Sequence, residues 1–131
     1  MIVVDASVLA NALADDHADG AAARDELRAA GRITAPDLVD VETVSVLRKR
    51  WLGRTLTDQR FEVAVAHLRQ LQFERVPTLR MMHRAFELRA NVSAYDACYV
   101  ALAELLDCEL LTTDGRLAGA SGPRCAIRVL G

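Results

Sequence analysis

A short apolar run, Ile2-Val3-Val4, stops at once on Asp5, and similar short runs recur along the chain between stretches of helical patterning. A short continuous apolar run suits a strand buried on both faces, as in a parallel sheet. Residues 110–112 and 126–130 read as further strands, and 32–35 and 73–76 as strand candidates, with Pro36 ending the former. Between them lie helices. Residues 7–14 form the first. A loop over 15–20 leads to a second over 21–30, stopped by Gly31. A third spans 38–52, with Val41, Val44, Leu47 and Trp51 at helical spacing. Thr57 is a good N-cap for a fourth, whose stripe is Phe61, Ala64, Val65, Leu68 and Leu71. Pro77 and Thr78 open a fifth, carrying Leu79, Met82 and Phe86. From Ala97 to Leu106 only Tyr99 and Glu104 are clearly polar, so the helix over 94–106 is buried. Strands alternating with helices predict an α/β fold with a mostly parallel sheet, in one domain over 1–131.

Composition narrows the classes. Hydrophobic residues are 52% and charged residues 26% of the 131, which is ordinary for a globular domain and excludes disorder. No apolar run approaches the roughly 20 residues of a membrane span. The start lacks a basic leader segment, so a cytoplasmic location is expected. Three cysteines, none in a CxxC pair, read as reduced thiols. The net charge of −2 excludes a protein that grips nucleic acid by bulk charge alone. Any such role needs local patches or a metal.

Four acidic residues attract notice. Ligands of parallel α/β sheets bind beyond the carboxyl ends of the strands. Asp5 directly follows the first strand, and Asp114 closely follows the strand at 110–112. Asp96 sits in Ser93-Ala94-Tyr95-Asp96, a capping-box spacing, yet it opens a helix that looks buried, where an unpaired carboxylate is costly. Glu42 lies too deep in the third helix to serve its N-terminus. Each also has an ordinary role open to it, as a cap, a turn-former at Asp114-Gly115, or an exposed side chain. Together they are the right chemical type for phosphodiester hydrolysis. Carboxylates held close repel one another. Mg²⁺ or Mn²⁺ removes that penalty, prefers oxygen ligands, activates water and offsets charge on a phosphate.

Arg48-Lys49-Arg50-Trp51 opens the densest basic stretch. Arg48 and Arg50 are candidate contacts for RNA or a partner, though cations also suit a helix end, and Trp51 on the apolar stripe reads as core. His17, His67 and His83 lack metal-ligand spacing and read as surface residues. Two metal-binding α/β alternatives fit poorly. A phosphoacceptor receiver domain wants paired acids after its first strand and a late lysine, but Val4 precedes Asp5 and the only lysine is Lys49. A haloacid-dehalogenase-type phosphatase wants Asp-x-Asp, where this chain has Asp5-Ala6-Ser7.

The motifs resemble those of the PIN-domain nucleases, most closely the VapC-like toxins of type II toxin–antitoxin systems. Ile2-Val3-Val4-Asp5-Ala6-Ser7 resembles that family's first strand and first acid. Pro36-Asp37-Leu38, Val41-Glu42 and Leu47-Arg48 are similar to its glutamate-bearing helix. Ser93-Ala94-Tyr95-Asp96-Ala97 with Tyr99-Val100-Ala101-Leu102-Ala103 resembles the segment of the third acid, and Leu110 through Leu117 that of the fourth. The resemblance implies a five-stranded parallel sheet with helices on both faces. It implies an endoribonuclease dependent on Mg²⁺ or Mn²⁺, with Asp5, Glu42, Asp96 and Asp114 as its catalytic and metal-binding quartet. Ser7 and Thr112 match supporting hydroxyl positions. A cognate antitoxin and a homodimer are the implied partners, with RNA as substrate. One departure is visible: many members carry Asn three residues after the helical glutamate, where this chain has Ser45. The alternatives are a housekeeping RNA-processing nuclease of the same fold, or a non-catalytic α/β binding module whose acids only cap and turn.

Overall fold

Ile2, Val3 and Val4 are 6%, 0% and 0% exposed, so the first strand, β1 (Ile2–Val4), is covered on both faces. In a computed structural model, which describes residues 1–131, β1 is the central strand. It pairs on one side with β2 (Ile33–Pro36) and on the other with β4 (Glu109–Thr112). β3 (Glu74–Val76) lies outside β2, and β5 (Ile127–Val129) outside β4, giving the order β3-β2-β1-β4-β5. Every pairing is parallel, with Val3 opposite Thr34 and Leu110, and Val4 opposite Leu111. The expected five-stranded α/β sheet is present.

The helices are α1 (Ala6–Ala14), α2 (Ala18–Ala29), α3 (Val39–Leu52), α4 (Asp58–Gln70), α5 (Met82–Glu87), α6 (Ala94–Leu106) and the single turn α7 (Gly115–Ala118), with a 3-10 turn at Thr78–Met81. The chain steps from β1 out to β2 and β3, then returns past β1 to β4 and β5. Crossovers between parallel strands are right-handed, so the outward steps carry α1 to α4 over one face and the return carries α5 to α7 over the other. The reversal at β1 opens a crevice at the carboxyl ends of β1 and β4. α6 buries seven consecutive residues, Ala97 to Ala103, and packs against β1, β2 and β4. This is the buried, mostly apolar helix expected from the sequence, although Leu105 and Leu106 at its end are exposed.

Several expectations shift. α2 begins at Ala18, inside the segment read as a loop, because the Asp15 carboxylate accepts hydrogen bonds from the His17 and Gly20 amides at 2.8 and 3.0 Å and ties down its entry. Pro36 belongs to β2, opposite Val76, rather than ending the strand before it. On α3 the buried residues are Val39, Thr43 and Leu47, while Val41 is 74% and Trp51 41% exposed. The expected stripe is therefore rotated, and Trp51 lies tilted against Phe61 near the surface, their ring centroids 6.4 Å apart, instead of filling the core. In the fifth helical segment Met81, Ala85 and Leu88 point inward, and Leu79, Met82 and Phe86 outward. Its first turn is 3-10, with three residues per turn, and this changes the helical phase. Asp114 caps α7 rather than forming a simple turn.

Candidate active site

Asp5 leaves β1 and immediately caps α1. Its Oδ1 accepts from the Ser7 and Val8 amides at 3.1 and 3.2 Å and from Ser7 Oγ at 2.5 Å. Its Oδ2 accepts from the Thr112 hydroxyl, 107 residues away at the end of β4. The same two hydroxyls then turn to the next acid. The Asp114 amide donates to Thr112 Oγ1 at 3.0 Å, and the Thr113 amide to Ser7 Oγ at 3.1 Å. Ser7 and Thr112 thus lock the carboxyl end of β1 to the loop bearing Asp114. Burial pushes the Asp5 carboxyl upward in pKa, against the pull of these hydrogen bonds.

Glu42 and Asp96 arrive from the two faces of the sheet. Glu42 projects from α3 and accepts a 2.6 Å hydrogen bond from the hydroxyl of Tyr99 on α6. Tyr99 is 1% exposed, and burial first, then its bond to Glu42, drives its pKa far up, so it remains a donor throughout the accessible pH range. Asp96 forms only half of the expected capping box. Its amide donates to Ser93 Oγ at 3.1 Å, while its carboxylate lines the cleft, with the Ser93 side chain near enough to pull its pKa down against the effect of burial. Both carboxyls titrate above their usual range. Burial is the main cause in each, followed for Glu42 by the charges of Asp96 and Asp5, and for Asp96 by those of Asp5 and Asp114.

Asp5, Glu42, Asp96 and Asp114 line one cleft of about 270 Å³, together with Ser7, Ser45, Val46, Lys49 and Tyr99. Thr112 lies just beneath, fully buried. Arg48 and Arg50 do not line it. Arg48 is exposed on α3, and Arg50 donates to Asn11 Oδ1 at 2.6 Å. Sequence reasoning passed over Tyr99 and Lys49. Tyr99 had a signal, since a phenol in an otherwise apolar helix needs a partner for its hydroxyl. Lys49 had one too, seven residues after Glu42 and so on the same helical face. The three histidines are exposed, and no disulfide joins the cysteines.

Only Asp114 of the four acids has a basic partner, Arg116, with Nε 3.4 Å from Oδ1. Asp5, Glu42 and Asp96 thus share a cleft with raised pKa and no direct ion pair, a like-charged set that a bound cation would relieve. No three His, Cys, Asp or Glu side chains are arranged as a ready metal cage. An open, oxygen-only donor set nevertheless fits a hard cation that keeps much of its water and takes few carboxylates directly.

The family model described as the PIN domain matches residues 2–122. The chain belongs to the PIN-domain family. Among relatives of this PIN domain, a VapC ribonuclease of Mycobacterium bovis is 43% identical over 130 residues, covering 99% of this chain and 98% of that protein. Ribonuclease VapC1 of Mycobacterium tuberculosis is 38% identical, covering 98% and 96%. Within the PIN domains, the chain is thus of the VapC type. The crystal structure of Mycobacterium tuberculosis VapC20, described as a Sarcin-Ricin loop cleaving toxin, superposes with a TM-score of 0.68 at 23% identity, over 91% of this chain and 94% of that one. That PAE2754 of Pyrobaculum aerophilum does so at 0.64, with 21% identity, extends the same fold further.

Proposed function

We propose that this PIN domain is a metal-dependent endoribonuclease, the toxin of a toxin–antitoxin pair. The observation that carries the reading is the cleft itself, where Asp5, Glu42 and Asp96 stand together at the sheet's switch point with raised pKa and no ion-pair partner. The ribonuclease names of its close, full-length relatives support the substrate class. Mg²⁺ or Mn²⁺ is the proposed cofactor, held through Asp5, Glu42, Asp96 and Asp114. When bound, such an ion supplies an activated water and offsets charge on the phosphate.

The chain's own residues prepare that chemistry. Ser7 and Thr112 fix both oxygens of Asp5, so its carboxylate has one orientation. Tyr99 holds Glu42 Oε1 and leaves Oε2 for the cleft. Asp96 turns its carboxylate into the cleft from the first turn of α6. The partners in this reading are RNA, a cognate antitoxin and a second copy of the chain. Exposed apolar side chains on α3 (Val41, Trp51, Leu52) and around α5 (Leu79, Met82, Phe86) supply surface for protein partners. No helix is long and apolar enough to cross a membrane.

Asp96→Asn is the direct test. It preserves shape and the Ser93 cap, which uses the Asp96 amide. Metal-dependent cleavage of RNA should fall at least 100-fold, the lower range for removing a group that acts on the reacting centre, with circular dichroism unchanged. Full activity in the folded variant refutes the assignment.

A further inference from the structure

The acid cleft has a cation on each bank. On the β2 side, α3 turns Glu42, Ser45, Val46 and Lys49 toward the cleft. Lys49 stands seven residues beyond Glu42, about 10 Å of helical rise. On the β4 side, Arg116 follows Asp114 at the start of α7, with its side chain 94% exposed and its guanidinium beside the Asp114 carboxylate. β1 and Asp5 lie between β2 and β4, so the two cations flank the acids from opposite sides.

Neither cation is spent on the fold. Lys49 forms no ion pair although four carboxylates line the same cleft, and the Arg116 contact with Asp114 is a long, exposed one. An exposed pair of that kind contributes little to stability. An RNA strand entering here meets four acids, so the attraction that the chain's own side chains offer its phosphates comes from the margins.

We infer that Lys49 and Arg116 bind the phosphates on either side of the scissile one, so that an RNA strand crosses the cleft from α3 to α7. The inference rests on the nuclease reading. Lys49 acts as a point charge and Arg116 as a planar fork, both suited to a phosphate. The neighbouring Arg50 is engaged with Asn11 and has no part in it.

Counterion release gives the test. In the Asp96→Asn background, which keeps RNA uncut, the Kd of a fluorescein-labelled single-stranded RNA is measured by anisotropy across a salt series. Each phosphate contact to a single strand contributes about 0.7 to the slope of log Kd against log salt. Lys49→Ala and Arg116→Ala should each lower that slope by about 0.7, and the double variant by about 1.4. Lys49→Arg should restore it. Arg28→Ala on α2 removes the same unit charge from an exposed pair with Asp25 and should leave the slope alone. Unmoved slopes, or an equal fall for Arg28→Ala, overturn the inference. The two readings fail separately. A wild type that cleaves with metal while the slopes stay fixed removes only the phosphate track, whereas falling slopes in a wild type that never cleaves keep the track and remove the nuclease.

Discussion

Tyr99 and Glu42 are 57 residues apart in sequence and 2.6 Å apart in space. The phenol is the only hydrogen-bond donor to the Glu42 carboxylate, so it decides where one of the quartet points. Groups that orient a metal ligand from behind commonly influence metal affinity about 10- to 100-fold. Tyr99→Phe should therefore weaken Mn²⁺ binding by about 10-fold, read as a shift to higher metal concentration in the metal-linked rise of Tm. An unchanged metal titration would mean Glu42 is placed by α3 alone. The same pair shows where the sequence stops being legible. Asp5 and Asp114 could be singled out because strand ends locate them without tertiary information. Asp96 could be singled out because a carboxylate heading a buried helix is costly. Glu42 carried a weaker mark, its depth in the third helix, and the family resemblance supplied most of the case for it. Arg48 and Arg50 stood out by charge density, which does not reveal helical phase, and it is Lys49 between them that reaches the cleft.

Helical phase is also what the sequence read least well for whole elements. The position of β1 and the burial of α6 were legible because continuous apolar runs leave no choice of face. α3 offered two readings. Its aliphatic residues suggest one stripe, but the helix turns Val39, Thr43 and Leu47 inward, against α1 and α4. With Thr43 inside, Glu42 and Lys49 reach the cleft, and Val41 is left in solvent. The cost is visible in the one buried side-chain oxygen without a partner, Thr43 Oγ1. Replacing an unsatisfied buried hydroxyl by a methyl of the same shape removes a desolvation penalty of about 1–3 kcal/mol. Thr43→Val should raise stability by about 1 kcal/mol, seen as a higher urea midpoint with unchanged m-value. A lower midpoint would mean that the hydroxyl has a partner in solution. The 3-10 turn before α5 misled in the same way, since a change of residues per turn cannot be read from apolar spacing that assumes one period.

At the scale of the whole molecule, the cleft should set the stability–pH profile. Asp5, Glu42 and Asp96 hold their protons to higher pH in the folded chain than their ordinary values of 3.8, 4.5 and 3.8. Across the interval above those values the native state binds more protons than the unfolded one, so these groups lower stability as pH rises. Asp16 and Glu26, which pair with Arg60 and Arg128, are shifted the other way and lose their contribution as pH falls. A difference between two proteins that share those pairs isolates the cleft. In EDTA, Asp96→Asn and wild type should differ least in Tm at the acid end of the folded range, where Asp96 holds more of its proton and comes to resemble Asn. The variant should pull ahead as pH rises, reaching an advantage of about 1 kcal/mol near neutrality, within the roughly 0.5–2 kcal/mol of a typical stabilising substitution. For a chain of this length that is roughly 4 °C. The helix dipole at the start of α6 works in the opposite direction, favouring the charged carboxylate by about 0.3–1 kcal/mol, and burial with like-charge repulsion must exceed it. Millimolar Mn²⁺ should then reverse the order at pH 7, stabilising the wild type and leaving the variant nearly unmoved. A metal-free variant less stable than wild type at pH 7 would show that the dipole prevails over repulsion. A gap that does not vary with pH would show that Asp96 feels neither of its acidic neighbours.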